Sequence, residues 1–284
     1  MNNNRINEMN AILIRLAEYA KTNNTNNNFH EVIYKYLRCY NIGNEANLEI
    51  KNNFSNWINR YQNKKTKCVN TSNHPYWCQF INEKYNNQVI KESDPVKLYI
   101  PLKSEYIYEG VNRIFDFCEQ NDIIHQSKVA ATMRNDNVVL RIKEINDAIK
   151  VINFVNSDEY LKHGSLKPNP FCFNVGNVGL AIDNKNSYND NFSRYLSNYI
   201  NYKKQKNNLY NVSIQDFFDF VACNRLPDNN TREDIIYGDE IRKLILTSLS
   251  SNKFEDFKNH YYSVVGNKNR IKTNNLGYVI HKSH

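Results

Sequence analysis

The chain has 284 residues, 40% of them hydrophobic, 13% aromatic and 23% charged, which is ordinary globular usage and excludes a wholly disordered or fibrous chain. The net charge of +8 favours anionic partners, among them a phosphopeptide, a nucleic acid or an acidic leader peptide. The basic residues are scattered and carry no nucleic-acid-binding motif spacing, so no nucleic-acid partner is expected.

Six cysteines (Cys39, Cys68, Cys78, Cys118, Cys172 and Cys223) lie far apart, with no C-x-x-C pair and no metal-ligand spacing with histidine. Reduced thiols and no metal are the expectation. Nothing resembles a signal peptide or a membrane-spanning run, so a cytoplasmic protein without a membrane partner is expected.

Residues 6–22 place Ile6, Met9, Leu13, Leu16 and Ala20 at helical spacing. Phe29–Tyr40 predicts a second helix with Val32, Ile33, Tyr36 and Leu37 inward, and Phe54–Tyr61 a third helical piece. Residues 62–95 read as basic and irregular, with Trp77 as an aromatic anchor after His74-Pro75. Residues 1–95 are therefore expected to form a helical N-terminal region, a candidate for peptide or partner binding, ahead of a unit over 96–284.

The pattern changes at Lys97. Leu98–Leu102 alternates as a half-buried strand, Glu105–Glu119 has a helical apolar face, and Val138–Ile142 is a second strand. Asn146–Asn156 predicts another helix. The Gly- and Pro-punctuated segment 163–183 predicts short strands over Phe171–Val175 and Val178–Ile182. Helices are expected over Phe192–Tyr202, Ile214–Ala222, Arg232–Ser248 and Phe254–Tyr262, and a last strand over Gly277–His281. The expected class is α+β: a small antiparallel or mixed sheet with flanking helices.

Lys97, His125, Lys128, Arg134 and Asp136 stand at the ends of the two leading strand-like runs, an arrangement from which anion sites are built. The bland alternative is a solvated basic rim. Lys97 and Tyr99, two residues apart on a strand, share a face. Arg141, among apolar strand residues, faces the same way as Val139 and needs a partner if it points inward. Arg194 follows Ser193 near a helix start, where a helix N-terminus and a guanidinium can both meet an anion. Cys172, between two Phe residues, reads as core rather than as a nucleophile.

The order Lys97-x-Tyr99, a helix, Lys128, Arg134-x-Asp136 and Arg141, then P-F-x-F and G-x-x-G-x-A before Ser193-Arg194, resembles the HopA-type effector family over about residues 95–200. That family includes lyase proteins of lanthipeptide and related ribosomal-peptide biosynthesis and is distantly similar to phosphothreonine lyases. The resemblance implies β-elimination of phosphate from phosphoserine or phosphothreonine, leaving dehydroalanine or dehydrobutyrine, with no cofactor. It makes Lys128 the base, and Lys97, Arg134, Arg194 and Arg141 the phosphate-binding groups, with Asp136 orienting Arg134. Tyr99 stands where the lyases carry the histidine that protonates the leaving group, so the acid is Tyr99, or is supplied by His125 or His163, or the leaving phosphate needs no protein acid.

The chemistry suits these residue types. The Cα proton is a weak acid, and a lysine crowded by cations and partly desolvated can work as a base when its pKa falls toward ~7–8. Guanidinium and ammonium groups neutralise the departing phosphate. No kinase signature is present, so the resemblance implies a separate kinase that phosphorylates the precursor peptide, with a possible cyclase acting afterwards. Two rival expectations remain: a secreted effector acting on a host phosphoprotein, and a non-catalytic interaction protein of the same fold.

Overall fold

The computed structural model describes residues 3–25, 28–40, 42, 50–69, 77–84, 96–130, 134–182, 187–223 and 232–265. The expected strand over Gly277–His281 and the residues His74-Pro75 lie outside these. The chain is α+β. It opens with helices α1 (Asn3–Thr22), α2 (Phe29–Arg38) and α3 (Ile50–Tyr61). Strands β1 (Thr66–Val69), β2 (Trp77–Asn82) and β3 (Val96–Tyr99) follow, then a 3-10 turn (Ser104–Tyr106) running into α4 (Ile107–Gln120). Next come β4 (His125–Ala130), β5 (Val138–Ile142), α5 (Ile145–Ser157), α6 (Glu159–Gly164), β6 (Phe173–Val175) and β7 (Val178–Ile182). Helices α7 (Tyr188–Gln205), α8 (Ile214–Ala222), α9 (Arg232–Ser250) and α10 (254–265) complete the order.

Among the described residues, all seven strands form one sheet in the order β1-β2-β4-β5-β3-β7-β6, and every pairing is antiparallel. The sheet crosses the division expected near residue 95. β2 lies before it and pairs with β4 beyond it, with Gln79 opposite Lys128. The segment read as irregular thus supplies two strands. Leu98–Leu102 is shifted as well: the ladder ends at Tyr99, ahead of Pro101, and Leu102 keeps only a single bridge to Ser165. The Asn137 amide serves Leu102 in place of a strand neighbour, accepting from its N–H at 3.0 Å and donating to its carbonyl at 2.6 Å.

Because side chains alternate along a strand, the pairing register sorts the sheet into two faces. One face carries Phe80, His125, Ser127, Val138, Leu140, Leu98 and Leu180. Trp57 and Tyr61 of α3 and Phe115 of α4 close on it, with the Phe80 and Phe115 rings 4.6 Å apart. Ala148, Val151, Ile152 and Val155 of α5 are buried too, as an amphipathic helix seated on a sheet requires. The opposite face carries Gln79, Gln126, Lys128, Val139, Arg141, Lys97, Tyr99, Gly179 and Ala181. α2 and α7 stand over this second face, and α7 is tied down at Phe171, whose ring lies 4.6 Å from that of Phe192 and whose carbonyl accepts from the Tyr188 hydroxyl at 2.7 Å.

α1 is anchored by a buried charge. Arg5 donates to the carbonyls of Pro170, at 2.7 Å, and of Ser248, at 3.1 Å, and also to the carbonyl of Cys172. A guanidinium has donors enough to satisfy several loop carbonyls at once. β6 and β7 meet in a two-residue turn with Gly176 at φ 60°, the left-handed region that glycine enters without strain. Among the described residues, no helix is long and apolar enough to cross a membrane.

Candidate functional site

The second sheet face holds a cavity of about 210 Å³. Its floor is built from four neighbouring strands: Trp77 of β2, Gln126 and Lys128 of β4, Val139 and Arg141 of β5, and Lys97 and Tyr99 of β3. Tyr34 of α2, Asp136 ahead of β5, and Ser187 and Asn189 at the start of α7 form the walls. Register explains the convergence. Lys97 pairs with Arg141, which pairs with Gln126, while Tyr99 pairs with Val139, which pairs with Lys128. Two adjacent cross-strand rows therefore deliver Lys97, Arg141, Lys128 and Tyr99 to one place. On the far side of β3, Ala181 and Gly179 stand opposite Lys97 and Tyr99. A Cβ on Gly179 would lie 3.3 Å from Pro168 Cβ and 3.4 Å from Cys172 Cβ, so the 168–172 segment closes the face there.

Lys97 is 5% exposed, and its ammonium sits 5.3 Å from the centre of the Tyr99 ring. Arg141 is held from the side by Gln126, whose Oε1 accepts from its terminal nitrogen at 3.2 Å. Among the described residues, the cavity lining thus combines three cationic side chains with one carboxylate, Asp136. That carboxylate is committed to Arg134, which donates to one oxygen through Nε and to the other at 2.9 Å. Arg134 also donates to the Tyr34 hydroxyl at 3.1 Å and lies 4.6 Å from the Trp77 ring centre. Burial would pull the Arg134 pKa down, but the adjacent Asp136 charge overrides it and the net shift is upward. The Tyr34 hydroxyl is pushed up, first by burial and then by the Asp136 charge.

This pair corrects one expected role. Arg134 is 3% exposed, is absent from the cavity lining, and spends its donors on Asp136 and Tyr34. It supports the wall under Trp77 rather than facing an anion.

His125 is a second correction. β4 alternates, so Gln126 and Lys128 face the cavity while His125 and Ser127 face α4. The His125 ring is fully buried 5.0 Å from that of Phe115, with Nδ1 2.7 Å from Ser127 Oγ and Nε2 3.3 Å from Thr66 Oγ1. The whole sheet separates it from the site. His163 also lies elsewhere, in an open cleft with Glu105, Tyr106, Glu159 and Tyr160.

Arg194 is the third correction. Its Nε is 3.1 Å from Asp190 Oδ2, and its side chain is half exposed. It follows Asn189 by five residues, which is about 140° around the helix, so the residues that start α7 meet the cavity and Arg194 does not. Cys172 is fully buried and its thiol is pushed up to about 12 by that burial, which leaves it unsuited to nucleophilic work.

Burial of His125 also has a thermodynamic consequence. Its pKa is pushed down to about 4, against about 6.5 in an unfolded chain. Between those values the unfolded state binds the extra proton, so the stability is complete above about pH 6.5 and declines as pH falls toward 4. Across the window the loss is about 3 kcal/mol at full effect. His260, likewise lowered to about 4 by burial and then by Lys243, acts with the same sign. Urea midpoints should therefore drop steadily from pH 7 to pH 4.5, and less steeply in His125→Gln. A midpoint that does not change with pH would contradict this.

Trp77, Gln126, Tyr34, Ser187 and Asn189 were not singled out as site residues by the sequence pattern. Alternation along β4 would have found Gln126 beside Lys128, whereas nothing local marks Tyr34 or Asn189. Among the described residues, no group of three or more His, Cys, Asp and Glu side chains gathers as a metal set. No family model matches the chain, and no curated protein matches it.

Proposed function

We propose that this cavity binds the phosphate of a phosphoserine or phosphothreonine residue in a peptide and eliminates it. The observation that carries this reading is the convergence of Lys97, Lys128, Arg141 and Tyr99 from three adjacent strands on one partly enclosed site. Cations fixed on a rigid sheet are preorganised for a developing dianion, with no reorganisation required when the charge appears.

In the proposed reaction the neutral amine of Lys128 removes the Cα proton. The electron pair of that C–H bond becomes the Cα=Cβ double bond, and the Cβ–O bond breaks with its electrons leaving on phosphate. Lys97 and Arg141 hold the departing anion, and the Tyr99 phenol supplies a proton to its oxygen. The products are inorganic phosphate and dehydroalanine from phosphoserine, or dehydrobutyrine from phosphothreonine. The HopA-type motif order supports the same reaction class. In this reading the substrate is a precursor peptide phosphorylated in the cytoplasm by a separate kinase, and a cyclase uses the product. A secreted effector acting on a host phosphoprotein would use the same chemistry.

One observation favours a second reading, a phosphopeptide-binding module without catalysis. No histidine is among the described residues that line the cavity, and a phenol, with an ordinary pKa near ~10, is a weaker acid than an imidazolium. Mass spectrometry of phosphoserine and phosphothreonine peptides incubated with the protein separates the possibilities. Loss of phosphoric acid supports elimination. Loss of phosphate with gain of a water would mean hydrolysis, and an unchanged peptide that still binds would support the module.

A further inference from the structure

The sheet face opposite the cavity carries a chemically competent pair of side chains. Cys68 of β1 and Cys78 of β2 bring their sulfurs to 3.2 Å, a thiol–thiol hydrogen bond. Register places them there. Cys68 pairs with Phe80, and Cys78 lies two residues from Phe80 on the same face, so the two cysteines are diagonal cross-strand neighbours. They differ in access: Cys78 is buried and Cys68 is partly exposed. Cysteines this close on adjacent strands need only a short approach, to the bonded separation of about 2.05 Å, to be linked.

We propose that Cys68 and Cys78 form a reversible disulfide by exchange with a low-molecular-weight disulfide such as oxidised glutathione. Cys68, the reachable sulfur, attacks the glutathione S–S bond as its thiolate and releases one glutathione thiol. Cys78 then attacks the Cys68 sulfur of the mixed disulfide and releases the second. The protons of the two protein thiols end on the two glutathione molecules. Two cysteines are oxidised, and one glutathione disulfide is reduced. The hydrogen bond shared with Cys78 lowers the Cys68 pKa, which favours Cys68 as the attacking group. The linkage ties the edge strand β1 to β2 beside Trp77, the β2 residue that lines the cavity. It does not depend on the lyase reading.

The test uses the full folded chain, treated with oxidised glutathione, alkylated and digested without reductant. The expected result is a tryptic peptide over residues 68–84 that is lighter by two hydrogens than its free-thiol form, carries no alkyl group, and takes two alkyl groups once dithiothreitol has reduced it. The melting temperature should rise by a few degrees, because closing this loop restricts the unfolded chain. Cys78→Ser should stop at the mixed disulfide on Cys68. Cys68→Ser, altered at the more exposed partner, should leave Cys78 unmodified. Recovery of Cys68 and Cys78 as alkylated thiols in the treated wild type would overturn the proposal. So would a glutathione adduct that persists on wild-type Cys68.

Discussion

Replacing Lys128 with alanine is expected to slow the proposed phosphate elimination by about 10²- to 10⁴-fold, the usual contribution of a positioned general base. The effect should fall on kcat. Lys128 sits on β4 between Val139 and Gln79, and shortening it leaves the ladder and the cavity walls in place. Arg141→Ala and Lys97→Ala remove the proposed phosphate ligands, so they should raise KM as well as lower kcat. Tyr99→Phe keeps the ring beside Lys97 and removes only the hydroxyl, which isolates its proposed part in proton donation. Single-turnover assays on a phosphothreonine peptide, with circular dichroism to confirm the fold, check the series. A Lys128→Ala protein with wild-type turnover would remove Lys128 from the mechanism.

The second large effect is on stability. Asp136→Ala strips the carboxylate from an Arg134 guanidinium that is 3% exposed. Breaking one side of a buried pair strands the other charge, at a cost of about 3–5 kcal/mol. Asn189 donates weakly to the same carboxylate, at 3.5 Å, so the start of α7 loosens along with it. Arg134→Ala should cost a similar amount, and Arg134→Met with Asp136→Leu should recover part of the loss, because no unpaired charge remains. Urea denaturation of the three variants measures this. Near-additive losses in the double variant would mean that the two residues do not act as a pair.

These effects show which parts of the site were written locally in the sequence. Lys97 and Tyr99 are two residues apart in an alternating run, so their common face followed from strand geometry alone. Arg141 follows Val139 by the same rule, within a strand whose bounds, Val138–Ile142, were read correctly. β4 was harder to read. His125-Gln-Ser-Lys lacks apolar alternation because its inward residues are polar and satisfy each other, with His125 bonded to Ser127. Without that strand, His125 and Lys128 looked like neighbours in one site, and the sheet between them was hidden. The pairing of β2 with β4 was equally invisible, since β2 follows a stretch rich in Asn and Lys and its partner lies far along the chain. Arg194 was misplaced by helix phase: the helix starts at Tyr188 rather than Phe192, which turns Arg194 toward Asp190 and solvent. Tyr34, on a helix packed over the sheet, reaches the cavity only through tertiary contact.

The proposed reaction requires this cationic sheet face to hold a phosphate group. Calorimetric titration of a phosphothreonine peptide and its unphosphorylated twin, into wild type and Arg141→Ala, tests it directly. The phosphopeptide should bind the wild type more tightly than its twin. That preference should weaken as salt is raised, because counterions screen the pairing of charges, and it should shrink in Arg141→Ala. Equal affinity for the two peptides, or a preference that Arg141→Ala leaves intact, would contradict the account.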